Sequence, residues 1–283
     1  LAFIGSTRVC NTLKRQHPRP NRLRSITGMG AKNPAFIFPD ADLDVAVREC
    51  VTGALSFNGQ RCTAVKMIHV HQDVERAFVD RLVAAVDALK AGMPWEPGVQ
   101  VTPLPEHGKP AALARLADDA VARGARIANA GGGRATATYY APAVLHAVTP
   151  EMEISKVEQF GPLIPVDPFE SDEELIELVT KSPFGQQCAI FGRDPQRIAP
   201  LVDALVNQVA RINLNTQCRR GPDTFPFTGR KDSAEGTLSV SDALRSFSIR
   251  TVVATSTDPS NKELVGEIVT RRLSRFLSTD FLF

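Results

Sequence analysis

Residues 57–64 read Phe57-Asn58-Gly59-Gln60-Arg61-Cys62-Thr63-Ala64, a short polar turn that leads into one cysteine. The residues after it, 65–70, read Val-Lys-Met-Ile-His-Val and predict a β-strand. A glycine lets the backbone approach a substrate closely, and a cation beside a thiol favours the thiolate, which is the nucleophilic form. A lone cysteine is most often a small buried apolar residue. These neighbours instead predict that Cys62 is a nucleophile.

Helix-like and strand-like segments alternate on both sides of this stretch. Asp40 and Asp42 are placed to cap an amphipathic helix over residues 45–56, which leads to Cys62. Apolar residues recur at helical spacing over residues 74–89. Further helices and apolar strands are predicted at residues 110–123, 171–179, 189–191, 196–208 and 209–214. The alternation predicts an α/β fold with a largely parallel sheet. Residues 25–32, which contain two glycines, are expected to form a loop.

The composition of the 283-residue chain is that of an ordinary globular protein, with 43% hydrophobic and 23% charged residues. A formal net charge of +2 gives no argument for a nucleic-acid or membrane partner. The five cysteines are scattered and lack metal-ligand spacing, which argues against a disulfide framework and favours a reducing, cytoplasmic location. His69 and His71 lie on one face of a strand, where a surface pair is expected rather than a metal site.

Several segments accompany the Cys62 turn in order along the chain. They read Phe3-Ile4-Gly5-Ser6-Thr7, Lys32-Asn33-Pro34 followed by Asp40-Ala41-Asp42-Leu43-Asp44, Glu158-Gln159-Phe160-Gly161-Pro162, Phe184-Gly185, and Pro226-Phe227-Thr228-Gly229 followed by Lys231-Asp232-Ser233. The turn resembles the nucleophile motif Gly-Gln-x-Cys of the aldehyde dehydrogenase superfamily, and the other segments resemble later and earlier motifs of the same family. Arg61 in the x position is similar to the branch of non-phosphorylating glyceraldehyde-3-phosphate dehydrogenases.

The resemblance implies what the site residues do. Cys62 would form a thioester during the NAD- or NADP-dependent oxidation of a small-molecule aldehyde. By the same resemblance, Gly5 and Ser6 lie against the dinucleotide, Glu158 holds the ribose on the nicotinamide side, and Phe160 packs near the nicotinamide ring. The sequence leaves the choice between NAD and NADP open.

Two arginines are candidates for binding the substrate. Arg61 precedes the nucleophile, and Arg220 precedes a loop at residues 225–227. Guanidinium groups bind phosphate through paired hydrogen bonds, and the resemblance implies that both arginines do so. A phosphorylated aldehyde, glyceraldehyde 3-phosphate oxidised to 3-phosphoglycerate, is therefore the expected substrate. The adjacent Arg219 and Arg220 are also compatible with a surface ion-pair network.

The resemblance covers residues 2–254 and implies four segments. Residues 1–32 are a remnant of a Rossmann-like cofactor domain, 33–228 the catalytic domain, 229–255 a return segment with an oligomerisation strand, and 256–283 a C-terminal tail. The strand is expected at Phe247–Ala254, where alternating residues predict an edge strand that a second copy covers in a homo-oligomer. Because the chain opens on an apolar strand without an initiator methionine, we expect it to be the C-terminal part of a longer protein.

One position departs from the family. Where the family has Glu-Leu-Gly-Gly-Lys, this chain has Gly28-Met29-Gly30-Ala31-Lys32, and no carboxylate occurs between Leu1 and Asp40. The family's glutamate is the general base for thioester hydrolysis, so deacylation is expected to be slow. Two alternatives remain open. One is a catalytically silent member of the fold with a binding or structural role, and the other is an enzyme that transfers the acyl group to a thiol such as coenzyme A.

Overall fold

The computed structural model describes residues 1–249 and 251–277. In this part of the chain the helices are α1 (Thr7–Gln16), α2 (Leu43–Leu55), α3 (Glu75–Asp87), α4 (Lys109–Ala122), α5 (Glu153–Lys156), α6 (Asp172–Lys181), α7 (Pro195–Leu205), α8 (Val240–Ser246) and α9 (Pro259–Thr270). The strands are β1 (Ala2–Ile4), β2 (Ile26–Gly28), β3 (Asn33–Ile37), β4 (Val65–His71), β5 (Arg126–Ile127), β6 (Ala135–Thr136), β7 (Tyr139–Tyr140), β8 (Ala143–His146), β9 (Leu163–Phe169), β10 (Phe184–Gly185), β11 (Gln187–Phe191), β12 (Arg211–Leu214), β13 (Arg230–Lys231) and β14 (Ala234–Glu235). Short 3₁₀ turns lie at Pro20–Arg22 and Ser56–Gly59.

The main sheet has seven strands in the order β12-β11-β3-β4-β9-β8-β5. Its pairs are parallel, except that the short β5 runs antiparallel to β8. Every residue of β3 and β4 is buried, as expected for parallel strands that are covered by helices on both faces. The predicted α/β fold with a largely parallel sheet is therefore confirmed.

Helix α2 shows why the local sequence folds as predicted and delivers the chain to Cys62. The Asp42 side chain accepts hydrogen bonds from the backbone N–H groups of Asp44 and Val45, which satisfies the free donors of the first turn. The apolar face of α2 packs with α3 against the sheet, in a cluster that includes Ile68. On the other face, α6 and α7 contribute to a separate apolar cluster, and α4 contributes to a third.

The first residues of the chain form a second, smaller sheet. Strand β1 pairs parallel to β2, and β14 pairs antiparallel to β2 on the other side. The loop expected at residues 25–32 is therefore wrong over Ile26–Gly28. The strand forms because its partners β1 and β14 supply the backbone hydrogen bonds, and β14 lies some two hundred residues further along the chain.

The chain divides into two compact units, Leu1–Ala243 and a second that begins at Leu244. In the second unit, the strand predicted at residues 247–254 is wrong for the chain by itself. Residues 247–249 and 251–254 have no strand structure, and residue 250 lies outside the described residues. A sequence pattern cannot supply the paired strand that a β-strand needs.

The domain boundaries at residues 32, 228 and 255 stay a prediction. No helix in the described ranges is both long and apolar enough to cross a membrane.

Candidate active site

The candidate site lies at the amino ends of neighbouring parallel strands. Cys62 precedes β4, Glu158 precedes β9, and Asn33 is the first residue of β3. Ligands of open α/β sheets usually lie at the carboxyl ends of the strands. At the amino ends the preceding helices bring their C-terminal carbonyls, which carry partial negative charge. Such a place disfavours a thiolate unless nearby cations offset the carbonyls.

The turn before Cys62 has an unusual backbone. Phe57 and Asn58 each have φ 55° and Gly59 has φ +70°, all in the left-handed region. A Cβ on Gly59 would lie 2.7 Å from the carbonyl oxygens of both Ala54 and Gly161. The Asn58 side chain holds the turn from outside, because its Nδ2 donates to Thr102 Oγ1 at 2.8 Å and its Oδ1 accepts from Thr102 N at 2.9 Å. The turn is therefore fixed in one shape.

Cys62 differs from the other four cysteines in its exposure. It is partly exposed, whereas the others, Cys10, Cys50, Cys188 and Cys218, are buried. Burial raises the pKa of the Cys218 thiol to about 12 and holds the pKa of the Cys188 thiol well above its usual range. A protonated, inaccessible thiol does not react as a nucleophile. Cys62 is the cysteine whose surroundings permit reaction.

The backbone carbonyl of Cys62 accepts hydrogen bonds from two side chains. Asn33 Nδ2 donates to it at 2.8 Å and also donates to the carbonyl of Ala64 at 3.0 Å. Lys66 Nζ donates to it at 2.8 Å and to the carbonyl of Arg61 at 3.0 Å. Both donors are buried, with 1% of the surface of each residue exposed. The backbone at Cys62 is therefore hydrogen-bonded to strand β3 through the amide of Asn33 and to strand β4 through the ammonium group of Lys66.

Glu158 joins this network through an ion pair with Lys66, at 3.0 Å between Oε1 and Nζ. The next residue, Gln159, donates to the carbonyl of Lys66 at 2.9 Å and accepts from Lys32 Nζ at 2.7 Å. Burial holds the pKa of Lys32 well below its usual value, with a further reduction by the charge of Lys66. Burial also lowers the pKa of Lys66, and the charge of Glu158 opposes that shift. Lys66 thus pairs with the carboxylate of Glu158, and Lys32 is hydrogen-bonded to the neighbouring amide of Gln159.

The other oxygen of Glu158, Oε2, lies close to Gly30. A Cβ on Gly30 would lie 3.1 Å from Glu158 Oε2 and 3.2 Å from Phe184 Cε1. Phe160, two residues beyond Glu158, has φ 45°, and Lys109 Nζ lies 5.6 Å from the centre of its ring. The Glu158 side chain is 21% exposed, so a hydroxyl group of a ligand can reach its carboxylate.

Gly5 and Ser6 form the turn between β1 and α1. The Gly5 N–H donates to the carbonyl of Gly28 at 3.0 Å, and Ser6 caps α1 by accepting from the N–H of Val9 at 3.3 Å. The turn thus ends a parallel strand and begins a helix with no acidic residue in its first turn. That arrangement fits a phosphate group of a dinucleotide.

The two candidate phosphate-binding arginines lie in different surroundings. Arg61 NH2 donates to the carbonyls of Thr52 and Gly53, at the end of α2, and to Gln217 Oε1 at 2.9 Å. Its buried Nε has no hydrogen-bond partner within the described ranges 1–249 and 251–277. Arg220 is exposed, 3.8 Å from Asp223 and 5.3 Å from the centre of the Phe227 ring. Neither residue is tested as a phosphate ligand by these contacts, and both stay predictions.

The position of the missing general base is crowded. Gly28 lies within β2, where a Cβ would approach Leu238 Cδ1 to 3.0 Å, and Gly30 faces Glu158 and Phe184 as described above. A glutamate at Gly30 would have to displace one of these neighbours. The carboxylate that pairs with Lys66 is Glu158.

Sequence reasoning missed three residues of the site as functional side chains: Lys32, Asn33 and Lys66. A charged residue in the middle of the apolar run that follows Cys62 was a signal for Lys66, because an unpaired buried lysine is costly. Nothing local marked Asn33, since its partners Cys62 and Ala64 lie about thirty residues away.

His69 and His71 are buried, so the expected surface pair is wrong. Strand β4 is covered on both faces; His69 is 1% exposed, and its Nδ1 lies 3.3 Å from Asp167. His69 Nε2 has no hydrogen-bond partner among the described residues. It lines a cavity of about 700 Å³ that also reaches Lys32 and Asn33. The described residues contain no group of three or more His, Cys, Asp or Glu side chains that could hold a metal ion.

The fold and this geometry define a class: α/β proteins with an accessible cysteine before a central strand. Residues 1–253 match the model of the aldehyde dehydrogenase family. The chain belongs to that family.

Individual relatives agree with this assignment. The NADP-dependent glyceraldehyde-3-phosphate dehydrogenase of Apium graveolens is 34% identical over 233 residues, which are 82% of this chain and 46% of the relative. The vanillin dehydrogenase of Pseudomonas fluorescens is 33% identical over 248 residues, 87% of this chain and 50% of the relative.

Solved structures give the same result. The crystal structure of NADP-dependent glyceraldehyde-3-phosphate dehydrogenase from Bacillus halodurans C-125, complexed with NADP, superposes with a TM-score of 0.81 and 31% identity, over 87% of this chain and 50% of that one. Succinate-semialdehyde dehydrogenase from Burkholderia pseudomallei superposes with a TM-score of 0.81 and 33% identity, over 87% and 51%. The chain spans about half the length of these relatives.

Proposed function

We propose that this chain carries the nucleophile of an NAD(P)-dependent aldehyde dehydrogenase that works through a thioester on Cys62. The observation that carries the proposal is the Cys62 turn. The one partly exposed cysteine of the chain follows a fixed left-handed turn, and its carbonyl is held by Asn33 and Lys66. Such positioning is what a nucleophile requires, because small displacements of a reacting group cost large factors in rate.

The chemistry follows from the position of the thiol. The Cys62 thiolate attacks the carbonyl carbon of the aldehyde and forms a carbon–sulfur bond, while the carbonyl oxygen becomes an oxyanion. A dinucleotide held by Gly5, Ser6, Glu158 and Phe160 would supply the hydride acceptor for this carbon, and the acyl group would then remain on Cys62 as a thioester. Water then attacks the thioester, releases the carboxylic acid and returns the thiol. Asn33 and Lys66 keep the Cys62 backbone in place through these steps.

Residues near Cys62 fit a dinucleotide. Glu158, whose side chain is 21% exposed, would accept a hydrogen bond from a ribose hydroxyl, and Phe160 would pack near the nicotinamide. The turn of Gly5 and Ser6 would lie near a phosphate of the dinucleotide, at the amino end of α1. That NADP is bound in the Bacillus halodurans relative supports the same class of cofactor here.

The favoured substrate is glyceraldehyde 3-phosphate, which would be oxidised to 3-phosphoglycerate. The glyceraldehyde-3-phosphate dehydrogenases among the relatives support it, and so does the buried Arg61 Nε, which lacks an acceptor within the described part of the chain. A buried donor without an acceptor is costly, and an anionic ligand could satisfy it. Arg220 is proposed as the second phosphate ligand. An aromatic aldehyde is the rival substrate, because a vanillin dehydrogenase is about as similar to the chain.

Transfer of the acyl group to a thiol such as coenzyme A is a second candidate function. The observation in its favour is the lack of any carboxylate in residues 1–39, where the family has its general base. A thiol acceptor ionises more readily than water and depends less on such a base.

We also propose that the protein works in the cytoplasm as a homo-oligomer. The scattered cysteines, none in a disulfide, support a reducing compartment. The exposed apolar side chains of Phe247, Ile249 and Val252 support a covering partner.

A single-turnover measurement tests the proposed function. The chain, joined to whatever sequence precedes Leu1 in its gene, is mixed with excess NADP and either glyceraldehyde 3-phosphate or vanillin. A burst of reduced cofactor of about one equivalent per Cys62 is expected with the phosphorylated aldehyde. The same burst with vanillin alone would show that the substrate is an aromatic aldehyde. An acyl-coenzyme A product would favour the second candidate function. No burst with either aldehyde, or a full burst from Cys62→Ser, would contradict the proposal.

A further inference from the structure

Lys66 connects two parts of the candidate site that the proposed function treats separately. Its ammonium group donates to the carbonyls of Arg61 and Cys62, at 3.0 and 2.8 Å, and pairs with Glu158 Oε1 at 3.0 Å. With 1% of its side chain exposed, it is isolated from bulk water. The two carbonyl contacts are hydrogen bonds, and the contact with Glu158 is an ion pair.

The chemistry of the two sides differs. The carbonyls belong to the turn that carries the nucleophile, and the carboxylate belongs to the segment proposed to hold the cofactor ribose. Glu158 Oε1 pairs with Lys66, and Oε2 lies beside Gly30, where an added Cβ would be 3.1 Å away. A change in the position or charge of Glu158 therefore reaches Cys62 through one buried cation, where charge interactions are weakly screened.

We infer that Lys66 is a positioning residue that couples Glu158 to the Cys62 turn and supplies the positive field in which the Cys62 thiol reacts. The inference rests on the proposed function for Cys62 as the nucleophile. It adds that removing the cation lowers, and removing the carboxylate raises, the preference of Cys62 for anionic reactants. A phosphorylated aldehyde is such a reactant.

Other charged and titratable groups near Cys62 have to be considered in the test. They are Arg61 in the same turn, Lys32 next to β3, Glu158 before β9, and Cys218 after β12. Burial lowers the pKa of Lys66, with an opposing effect from Glu158, and the two carbonyl acceptors also favour the ammonium form. The variants are therefore compared at one pH near neutrality, so that the protonation of these neighbouring groups is not changed during the comparison.

The test compares two alkylating reagents on the 283-residue chain. Iodoacetate carries a negative charge and iodoacetamide is neutral, but both alkylate the same sulfur atom. The ratio of their rates at Cys62, measured by peptide mapping at low salt, reports the local charge. A variant that only loosens the turn changes both rates together and leaves the ratio alone.

Lys66→Met is expected to lower the iodoacetate-to-iodoacetamide ratio by about threefold or more, and Glu158→Gln to raise it by about twofold or more. The matched control is Lys231→Met, because Lys231 Nζ also donates to three backbone carbonyls, of Val179, Thr180 and Ser182, away from Cys62. That control should leave the ratio unchanged.

The outcomes separate the inference from the proposed function. Unchanged ratios in both variants, or equal changes in the same direction, would overturn the role of Lys66 while Cys62 remains the labelled thiol. Labelling at another cysteine in the unaltered chain would instead contradict the nucleophile itself. If Lys66→Met does not fold, as judged by circular dichroism, Glu158→Gln decides alone, and an unchanged ratio in it overturns the inference.

Discussion

Two segments of the chain, residues 56–66 and residues 244–254, differ in how they are held in the structure. The Cys62 segment, residues 56–66, is fixed by side chains from elsewhere in the first unit, such as Asn33 and Thr102. The C-terminal apolar segment, residues 244–254, leaves Phe247 71% and Val252 83% exposed. Hydrogen bonds that cross the chain give the first segment a single shape. In the second segment, the described residues leave the apolar side chains of Phe247 and Val252 uncovered.

This difference separates a segment that is held within the first unit from a segment whose apolar side chains are exposed. A reactive cysteine needs a fixed backbone and a defined charge environment, and both come from residues within Leu1–Ala243. Exposed apolar residues in a row mark a surface for another protein surface or another part of the same protein. The predictions below test each half of this comparison, beginning with the largest expected effect.

The largest effect is expected for Cys62→Ser. In the unaltered chain, limited iodoacetamide treatment should label Cys62 first, because it is the accessible thiol. The serine variant should lose at least about 99% of this early labelling, since a hydroxyl does not react under these conditions. Peptide mapping by mass spectrometry measures it. The buried Cys188 and Cys218 are internal controls, and early labelling of either would refute the assignment of the nucleophile.

A second effect concerns the fixed shape of the turn. Gly59→Ala places a Cβ 2.7 Å from two carbonyl oxygens at φ +70°, and should lower the free energy of unfolding by about 3 kcal/mol or more. The matched control is Gly98→Ala, which has φ +75° but no atom within 4 Å of the new Cβ. It should lower that free energy by only about 1 kcal/mol. Urea unfolding followed by circular dichroism compares the two. Equal losses would mean that the carbonyl contacts do not matter.

These two tests also show how far the sequence reached. Helix α2, the strand after Cys62 and the accessible cysteine follow from local patterns, because spacing and caps act over a few residues. Strand β2 and the donors Asn33 and Lys66 depend on partners far along the chain, which a local pattern does not contain. Arg61 illustrates this limit of local patterns, because the sequence shows only that Arg61 precedes Cys62. Its contacts with the end of α2 and with Gln217 depend on the folded structure.

The third prediction concerns the buried thiol of Cys218 and its raised pKa. Burial raises the pKa of Cys218 to about 12, whereas an unfolded thiol titrates near its ordinary value of 9.0. Between these values the unfolded state has lost a proton that the folded state keeps, so stability falls as the pH rises. Cys218→Ser removes this titration and should make the slope shallower by up to about 1.4 kcal/mol per pH unit between pH 9 and 11. Urea unfolding at several pH values, with reductant, measures both slopes. Parallel slopes would show that Cys218 does not titrate in this way.

The smallest effect on unfolding is expected in the C-terminal apolar segment. Ile249 is 76% exposed and Ile68, in β4, is 0% exposed. Ile249→Ala should change the free energy of unfolding by no more than about 0.5 kcal/mol, whereas the same change at Ile68 should cost about 2 to 5 kcal/mol through the cavity it leaves. Association between chains should instead be affected more by Ile249→Ala than by Ile68→Ala. If a second copy covers the segment, light scattering at increasing concentration should show a lower average mass for Ile249→Ala than for the unaltered chain, because the contact loses apolar area. A clear loss of stability together with an unchanged mass would mean that Ile249 is packed within its own chain, and the contrast between the two segments would then be wrong.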